Sequence, residues 1–316
     1  MTRLASGLVS LLLVSGMASA QAPVSCKGPL SMIQLIDLMK NDVPPARVQQ
    51  FVLKCAVKFD FDHFVEIDLR EAGATDAIIG AVRDKAQKPP RLPAQGKVGE
   101  TILNPRDLQK YVWIPAGKFQ KGCLEGDVEC DGDEKPREAE IRQGFWLGQT
   151  EVTVEAWKRY EEGPAAKTLL DRSPKFNPGW KDDSQPMVGP SWFDAAAFCR
   201  WIGGRLPNGI EWEYAARAGS PKPYYGELDQ IAWYGENSGG KPHPVGQKQP
   251  NAFALFDMLG NVWEYTHDSY AGTNEPSKIE KGGAWNSKAT RLRVWLIIGK
   301  SMNTGGDTDG WRCAWD

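Results

Sequence analysis

The chain lacks a surplus of either charge, a long apolar run and any cluster of histidines, and each absence removes a class of function. Its 38 Lys+Arg stand against 40 Asp+Glu, a formal charge of -2, so neither a nucleic-acid groove nor a polybasic membrane surface is predicted. No segment approaches the ~20 consecutive apolar residues that a membrane span requires. The three histidines, His63, His243 and His267, are scattered, and no two cysteines stand in C-x2-C spacing, which removes the usual zinc frameworks. No P-loop, dinucleotide fingerprint or G-x-S-x-G elbow occurs. Glu211 and Glu213 lie two apart on a predicted helix and do not face each other, so a paired-carboxylate hydrolase is not supported.

What is present reads as a loop-rich globular protein: 41% of residues are hydrophobic and 25% charged, with 33 Gly, 22 Pro and 13 Trp. Residues 1–20 read as a signal peptide, with Arg3 in a short positive start, an apolar run from Leu8 to Val14, and Ala18-Ser19-Ala20 as the cleavage site. Export to the periplasm or the extracellular space is therefore expected. All six cysteines, Cys26, Cys55, Cys123, Cys130, Cys199 and Cys313, follow that site, and an even count in an oxidising compartment points to disulfides. Fifteen pairings are open on sequence alone. Chain locality favours Cys26 with Cys55 and Cys123 with Cys130, which leaves Cys199 for Cys313.

Residues 26–87 carry helical periodicity, with Ile33, Ile36, Val48, Phe51 and Val52 and then Leu69, Ile78, Ile79 and Val82 as the apolar positions. A shift of 31 residues lays Leu38–Ala46 over Leu69–Ala77, so one helix-turn-helix unit is predicted twice. Ser31 with Gln34 reads as a capping box, and Pro44-Pro45 and Thr75-Asp76 mark the start of the second helix of each pair. Residues 88–100 read as a Pro-rich linker. From 101 to 316 the periodicities are short and turn residues frequent. One helix is predicted from Ser191, capped through Asp194, and another from Asn208, capped through Glu211. Tyr111–Ile114, Gly144–Gly148 and Leu292–Ile298 are strand candidates. The fold class is α+β with much irregular chain, preceded by a small all-helical domain.

The second domain carries a series of ordered motifs: Val112-Trp113-Ile114-Pro115-Ala116-Gly117, Gly148-Gln149-Thr150-Glu151-Val152-Thr153, Ser191-Trp192-Phe193-Asp194, Gly204-Arg205-Leu206-Pro207, Glu211-Trp212-Glu213-Tyr214, Gly260-Asn261-Val262-Trp263-Glu264, Gly282-Gly283 and Gly310-Trp311-Arg312-Cys313. In this order they resemble the formylglycine-generating enzyme (sulfatase-modifying factor) superfamily. The resemblance implies an irregular C-type-lectin-like fold over 101–316 and leaves the helical segment unexplained. It also makes Cys313 the structural partner of Cys199.

Enzymes of that family hold copper with two cysteines and oxidise a substrate cysteine with oxygen. The resemblance places those cysteines at Ser287 and Leu292. A hydroxyl is a poor ligand for Cu(I) and a leucine is none, so no copper is predicted. A second branch of the superfamily binds iron through three histidines. His63 lacks a His-x3-His partner, His243 stands between two prolines, and His267 reads as surface, so no iron centre is expected.

The resemblance further implies a structural Ca2+ site with side-chain oxygens from Asp257 and Glu264 and backbone oxygens from Gly260 and Val262, hard ligands that suit this ion. A first calcium site would fall between Ala232 and Gly246. The acidic loop from Cys123 to Cys130 reads as solvated and tied by its own disulfide. The family's peptide groove would be lined here by Trp285, Ser287, Arg291 and Trp295, residue types suited to a binding hot spot, although most tryptophans are expected in the core. The expected function is an exported, calcium-stabilised binding or scaffold module for an extended peptide or an exported protein. The competing expectation is a divergent metal-dependent oxidase.

Overall fold

The computed structural model describes residues 24–26, 28–30, 32–57, 61, 66, 69–86, 92–124, 127, 130, 135–161, 173–272 and 276–316. The signal peptide, His63, Ser31 and most of the acidic loop lie outside these residues. The chain divides into two compact units, 1–88 and 89–316.

In the first unit, α1 (Met32–Lys40), α2 (Pro45–Cys55) and α3 (Asp76–Lys85) form where the apolar spacing and breakers direct them. Pro45 opens α2, where its missing N–H is no loss, and Thr75 caps α3 by accepting from the Ile78 amide. The inward faces bury Leu35, Val48, Val52, Leu69, Ile79 and Val82. A Cys26–Cys55 disulfide fastens the segment before α1 to the end of α2.

The second unit is built on two sheets. One has the order β1 (Thr101–Leu103), β2 (Lys110–Ile114), β5 (Phe145–Gly148), β10 (Ala314–Trp315), all antiparallel, with Trp113 opposite Trp146. The other has the order β8 (Ile298–Ser301), β7 (Ser277–Lys281), β6 (Trp263–Tyr270), β9 (Asp309–Gly310), with β9 parallel to β6. A separate pair joins β3 (Gly117–Lys121) to β4 (Arg137–Ile141). Residues 311–313 thus carry the chain from one sheet to the other.

Helices α4 (Val154–Glu161), α5 (Trp192–Trp201) and α6 (Gly209–Arg217) pack with these sheets. Both predicted capping boxes form: Ser191 with Asp194, and Asn208 with Glu211. The core is aromatic. Trp157 meets Trp311 edge-on at 5.5 Å and stacks on Phe198 at 5.9 Å, geometries that add to plain area burial.

Two expectations differ. Residues 92–100, expected in the linker, include a segment held on the first sheet: the Pro93 carbonyl accepts from Trp146 Nε1 at 2.7 Å, and a Cβ at Gly96 would fall 2.8 Å from both the Trp113 and Trp146 rings. The apolar run Leu292–Ile298 is not a strand. Leu292, Val294 and Leu296 donate to Ala289, Pro223 and Arg293, so the run turns to bury Leu292 and Val294, and ladder pairing starts only at Ile298.

Asp107, just before β2, is 2% exposed; its carboxylate accepts from Tyr111 Oη and the Gln109 amide. Burial pushes its pKa up to about 6. The native state therefore keeps a proton that the unfolded chain releases nearer pH 4, and stability falls as pH rises through that window. The expected loss from this residue is on the order of 3 kcal/mol between pH 4 and pH 7. Urea unfolding of the native chain and Asp107→Asn at several pH values checks it: the stability difference should shift by that amount, and parallel profiles would refute it.

Candidate functional site

Strand β7 runs into Gly282 and Gly283, whose φ of 96° and 81° suit glycine. The chain then turns so tightly that a Cβ on Gly283 would lie 3.1 Å from Leu292 Cγ. Leu292 is fully buried in an apolar cluster with Val294 and Trp212. The Ser287 hydroxyl is also turned inward and accepts from the Ala284 amide at 3.0 Å. These two positions therefore bring a hydrocarbon and a hydroxyl already occupied by backbone. All six cysteines are in disulfides, Cys26–Cys55, Cys123–Cys130 and Cys199–Cys313, so the chain holds no free thiol.

The residues expected to line one groove are separated in role. Trp285 is half-buried, its ring 6.3 Å from Phe176 and its indole N–H on the Asp307 carbonyl. Arg291 is exposed. Trp295 is buried, and its indole N–H donates to Asp127 at 2.8 Å, beside the Arg293–Asp127 pair at 2.6 Å. Asp127 therefore departs from the expected solvated loop: the disulfide loop that carries it is anchored on Arg293 and Trp295. A pocket of about 270 Å³ opens beside Trp295 and is walled by Leu124, Pro221 and Pro223 rather than by the Gly-Gly turn.

The loop expected to hold calcium is tightly set. Asp257, Gly260 and Asn261 all have positive φ, and a Cβ on Gly260 would fall 2.3 Å from the Trp233 carbonyl. Asn261 is buried and clamps His243, accepting from its amide at 2.9 Å and donating to its carbonyl at 3.2 Å. His243 stacks on Trp233 at 3.8 Å, and Lys248 lies 3.8 Å from the same ring. The segment expected to hold a first calcium site is cross-linked by Asn237, which accepts from Tyr234 and donates to Ala232 and Asp229. His267 is exposed, its ring 6.1 Å from Trp192. Among the described residues, no group of three or more His, Cys, Asp or Glu side chains is arranged to hold a metal ion.

Beside this loop lies a buried charge cluster that the sequence reading missed. Arg312 is fully buried and forks onto Glu264, with Nε on Oε2 at 2.7 Å and Nη2 on Oε1 at 2.6 Å. Its remaining N–H groups reach the carbonyls of Gly148, Gln149 and Phe256. Trp212 Nε1 takes Glu264 Oε2 as well, at 2.7 Å. Both oxygens of Glu264, expected as a calcium ligand, are thus engaged within the chain. Asp257 accepts from the Gly246 amide through Oδ2 at 2.6 Å, while its Oδ1 and both oxygens of Glu151 are buried without a hydrogen-bond partner. Burial, then the charge of Asp257, pushes the Glu151 pKa far up; burial raises Asp257 to about 6. Glu151 and Arg312 both sit inside motifs that carry the resemblance, but nothing local in a sequence announces a pairing across so many residues.

Residues 98–316 match the family described as sulfatase-modifying factor enzyme 1-like domain. Inactive C-alpha-formylglycine-generating enzyme 2 of Bos taurus is 33% identical over 149 residues, covering 41% of this chain and 50% of that protein. The chain spans about half the length of the inactive relatives it matches, from Bos taurus and Mus musculus. The formylglycine-generating enzyme of Streptomyces coelicolor is 29% identical over 298 residues, 71% of this chain and 95% of that protein. Among solved structures, PvdO from Pseudomonas aeruginosa superposes with a TM-score of 0.63 at 23% identity, covering 70% of this chain and 100% of its own, a likeness of fold.

Proposed function

The chain belongs to the sulfatase-modifying factor enzyme 1-like family, and from that premise we propose an exported, calcium-stabilised binding module in which the family's copper-oxidase centre is missing. One observation carries this reading: every sulfur of cysteine is locked in a disulfide, while the two positions that should present thiolates hold Ser287 and Leu292. Cu(I) selects soft sulfur ligands, and neither side chain offers one.

Export is supported by the apolar stretch after Arg3 and the small residues before Gln21, together with three disulfides, which persist in oxidising compartments. Among the described residues no helix is long and apolar enough to cross a membrane. The partner would be an extended peptide or an exported protein. The half-buried Trp285 and the exposed Arg291 supply the residue types that dominate such contacts.

Calcium is supported by the orphaned Asp257 Oδ1 in a loop with positive φ at Asp257, Gly260 and Asn261. Asp257 would hold the ion together with the carbonyls of Gly260 and Val262, oxygen donors that suit it. Its part would be structural, as a rivet for chain that has little regular hydrogen bonding.

Metal analysis tests the first reading. Purified protein loaded with Cu(I) and washed is expected to retain no stoichiometric copper and to consume no oxygen with cysteine-containing peptides. Stoichiometric copper together with oxygen uptake would overturn the binding-module reading in favour of a divergent oxidase.

A further inference from the structure

The second unit holds a cavity of about 320 Å³ to which no residue of the Gly-Gly turn contributes; the β3–β4 hairpin, the start of α6 and strands β6 and β7 enclose it. That volume falls at the lower end of the range for small-ligand sites. Its walls set cations beside apolar side chains, Lys121, Arg137 and Lys281 with Ile210, Ile279 and Ile297.

The hairpin carries a charge pattern that packing does not explain. Side chains alternate across its two faces, and Phe119 turns its ring to Tyr214 of α6 at 5.2 Å. Lys121 stands two residues further on, on that same face, directly opposite Arg137. Like charges in direct opposition weaken a ladder. At its other end the hairpin matches its charges: Lys118 stands opposite Glu140 and bonds Glu138 at 2.9 Å. Deeper in the cavity Lys281 is 2% exposed, its Nζ on the Trp295 carbonyl at 3.2 Å and 3.7 Å from Glu213. Glu213 is already held by Arg217 at 2.8 Å. The other carboxylate of the wall, Asp268, accepts from the Gly209 amide at 2.9 Å. Among the described residues, Lys121, Arg137, Lys281 and Arg217 thus stand against Glu213 and Asp268, and the surplus is positive.

We propose that this cavity binds a small organic acid, its carboxylate between Lys121 and Arg137 and its aliphatic part against Ile210, Ile279 and Ile297. The site is separate from the groove at Trp285 and goes beyond the binding reading given above. A guanidinium fork matches the geometry of a carboxylate. An anion held by both side chains turns their repulsion into a shared attraction, and Ile210, 36% exposed, is covered by the apolar part of the ligand. A charge pattern that costs stability where a cavity opens fits a binding site rather than a scaffold.

The test titrates the full chain with isocaproate, and with isocaproamide as its neutral match, read by saturation-transfer NMR and thermal unfolding. The acid is expected to bind, and the amide to bind at least about tenfold more weakly, because the charged partner is gone. Arg137→Gln should weaken binding of the acid at least about tenfold, and Ile210→Ser by about threefold. Arg142→Gln, which changes an exposed arginine just beyond β4, should stay within about twofold of the native chain. Without ligand, Arg137→Glu should melt no lower than the native chain, because it sets opposite charges across the ladder. A lower melting temperature would make Arg137 a structural partner and overturn the site. So would a native chain that binds neither compound, equal binding of acid and amide, or native-like binding by Arg137→Gln.

Discussion

Arg312→Met is expected to remove about 3–5 kcal/mol of stability from the second unit, the range for breaking a buried ion pair by deleting one partner. The side chain is fully buried and serves five acceptors at once: both Glu264 oxygens and the carbonyls of Gly148, Gln149 and Phe256. Methionine fills part of the space and satisfies none of them. It also leaves three buried carboxylates with no cation of the chain among them. Urea unfolding followed by tryptophan fluorescence, with calcium present, would give the number. A loss under about 1 kcal/mol would mean that the cluster contributes little to holding the sheets together. Adding Glu264→Gln to the variant should recover part of the loss, because the stranded charge is gone.

The second large effect is expected from replacing Cys199 and Cys313 together with alanine. Both sulfurs are buried, and the bond spans 114 residues, from α5 to the segment between β9 and β10. In the chain-entropy treatment a loop of that size constrains the unfolded state by about 5 kcal/mol. The neighbouring backbone adds Arg205 and Ala314, which exchange amide hydrogen bonds at 2.9 and 2.7 Å. The double variant should therefore melt well below the native chain and resemble the reduced protein. Replacing Cys26 and Cys55 should leave the melting of the second unit in place. Equal melting of the Cys199/Cys313 variant and the oxidised native chain would refute the expectation.

Legibility in the sequence followed the range of the interaction. The capping boxes at Ser191 and Asn208 depend on residues three apart, and both formed as read. The three disulfides were reachable because two pairs are near neighbours and the third follows. The family, and with it the lectin-like fold, came from motif order rather than from periodicity. Leu292–Ile298 misled because continuous apolar character is shared by buried strands and buried turns, and only the donors' partners distinguish them. The Arg312 cluster joins residues 148–151, 256–264 and 312, and Asp127 meets Arg293 from the far side of the chain. A single sequence shows such residues as solvated acids and bases, since exposure is their usual state. Burial and geometry alone reveal the pairing.

Residues 309–315 supply the parallel strand of one sheet, an edge strand of the other, the guanidinium between them, the Trp311 ring of the core and one end of the long crosslink. In the chain all of these follow nearly every residue they contact. Until residues 309–315 dock, the contacts they complete stay open and the aromatic surface around Trp157 and Phe198 lacks the Trp311 ring. Incomplete chains of this type aggregate readily. A variant lacking residues 309–316 should therefore be recovered as insoluble material, whereas removal of eight residues before residue 89 should be tolerated by the second unit.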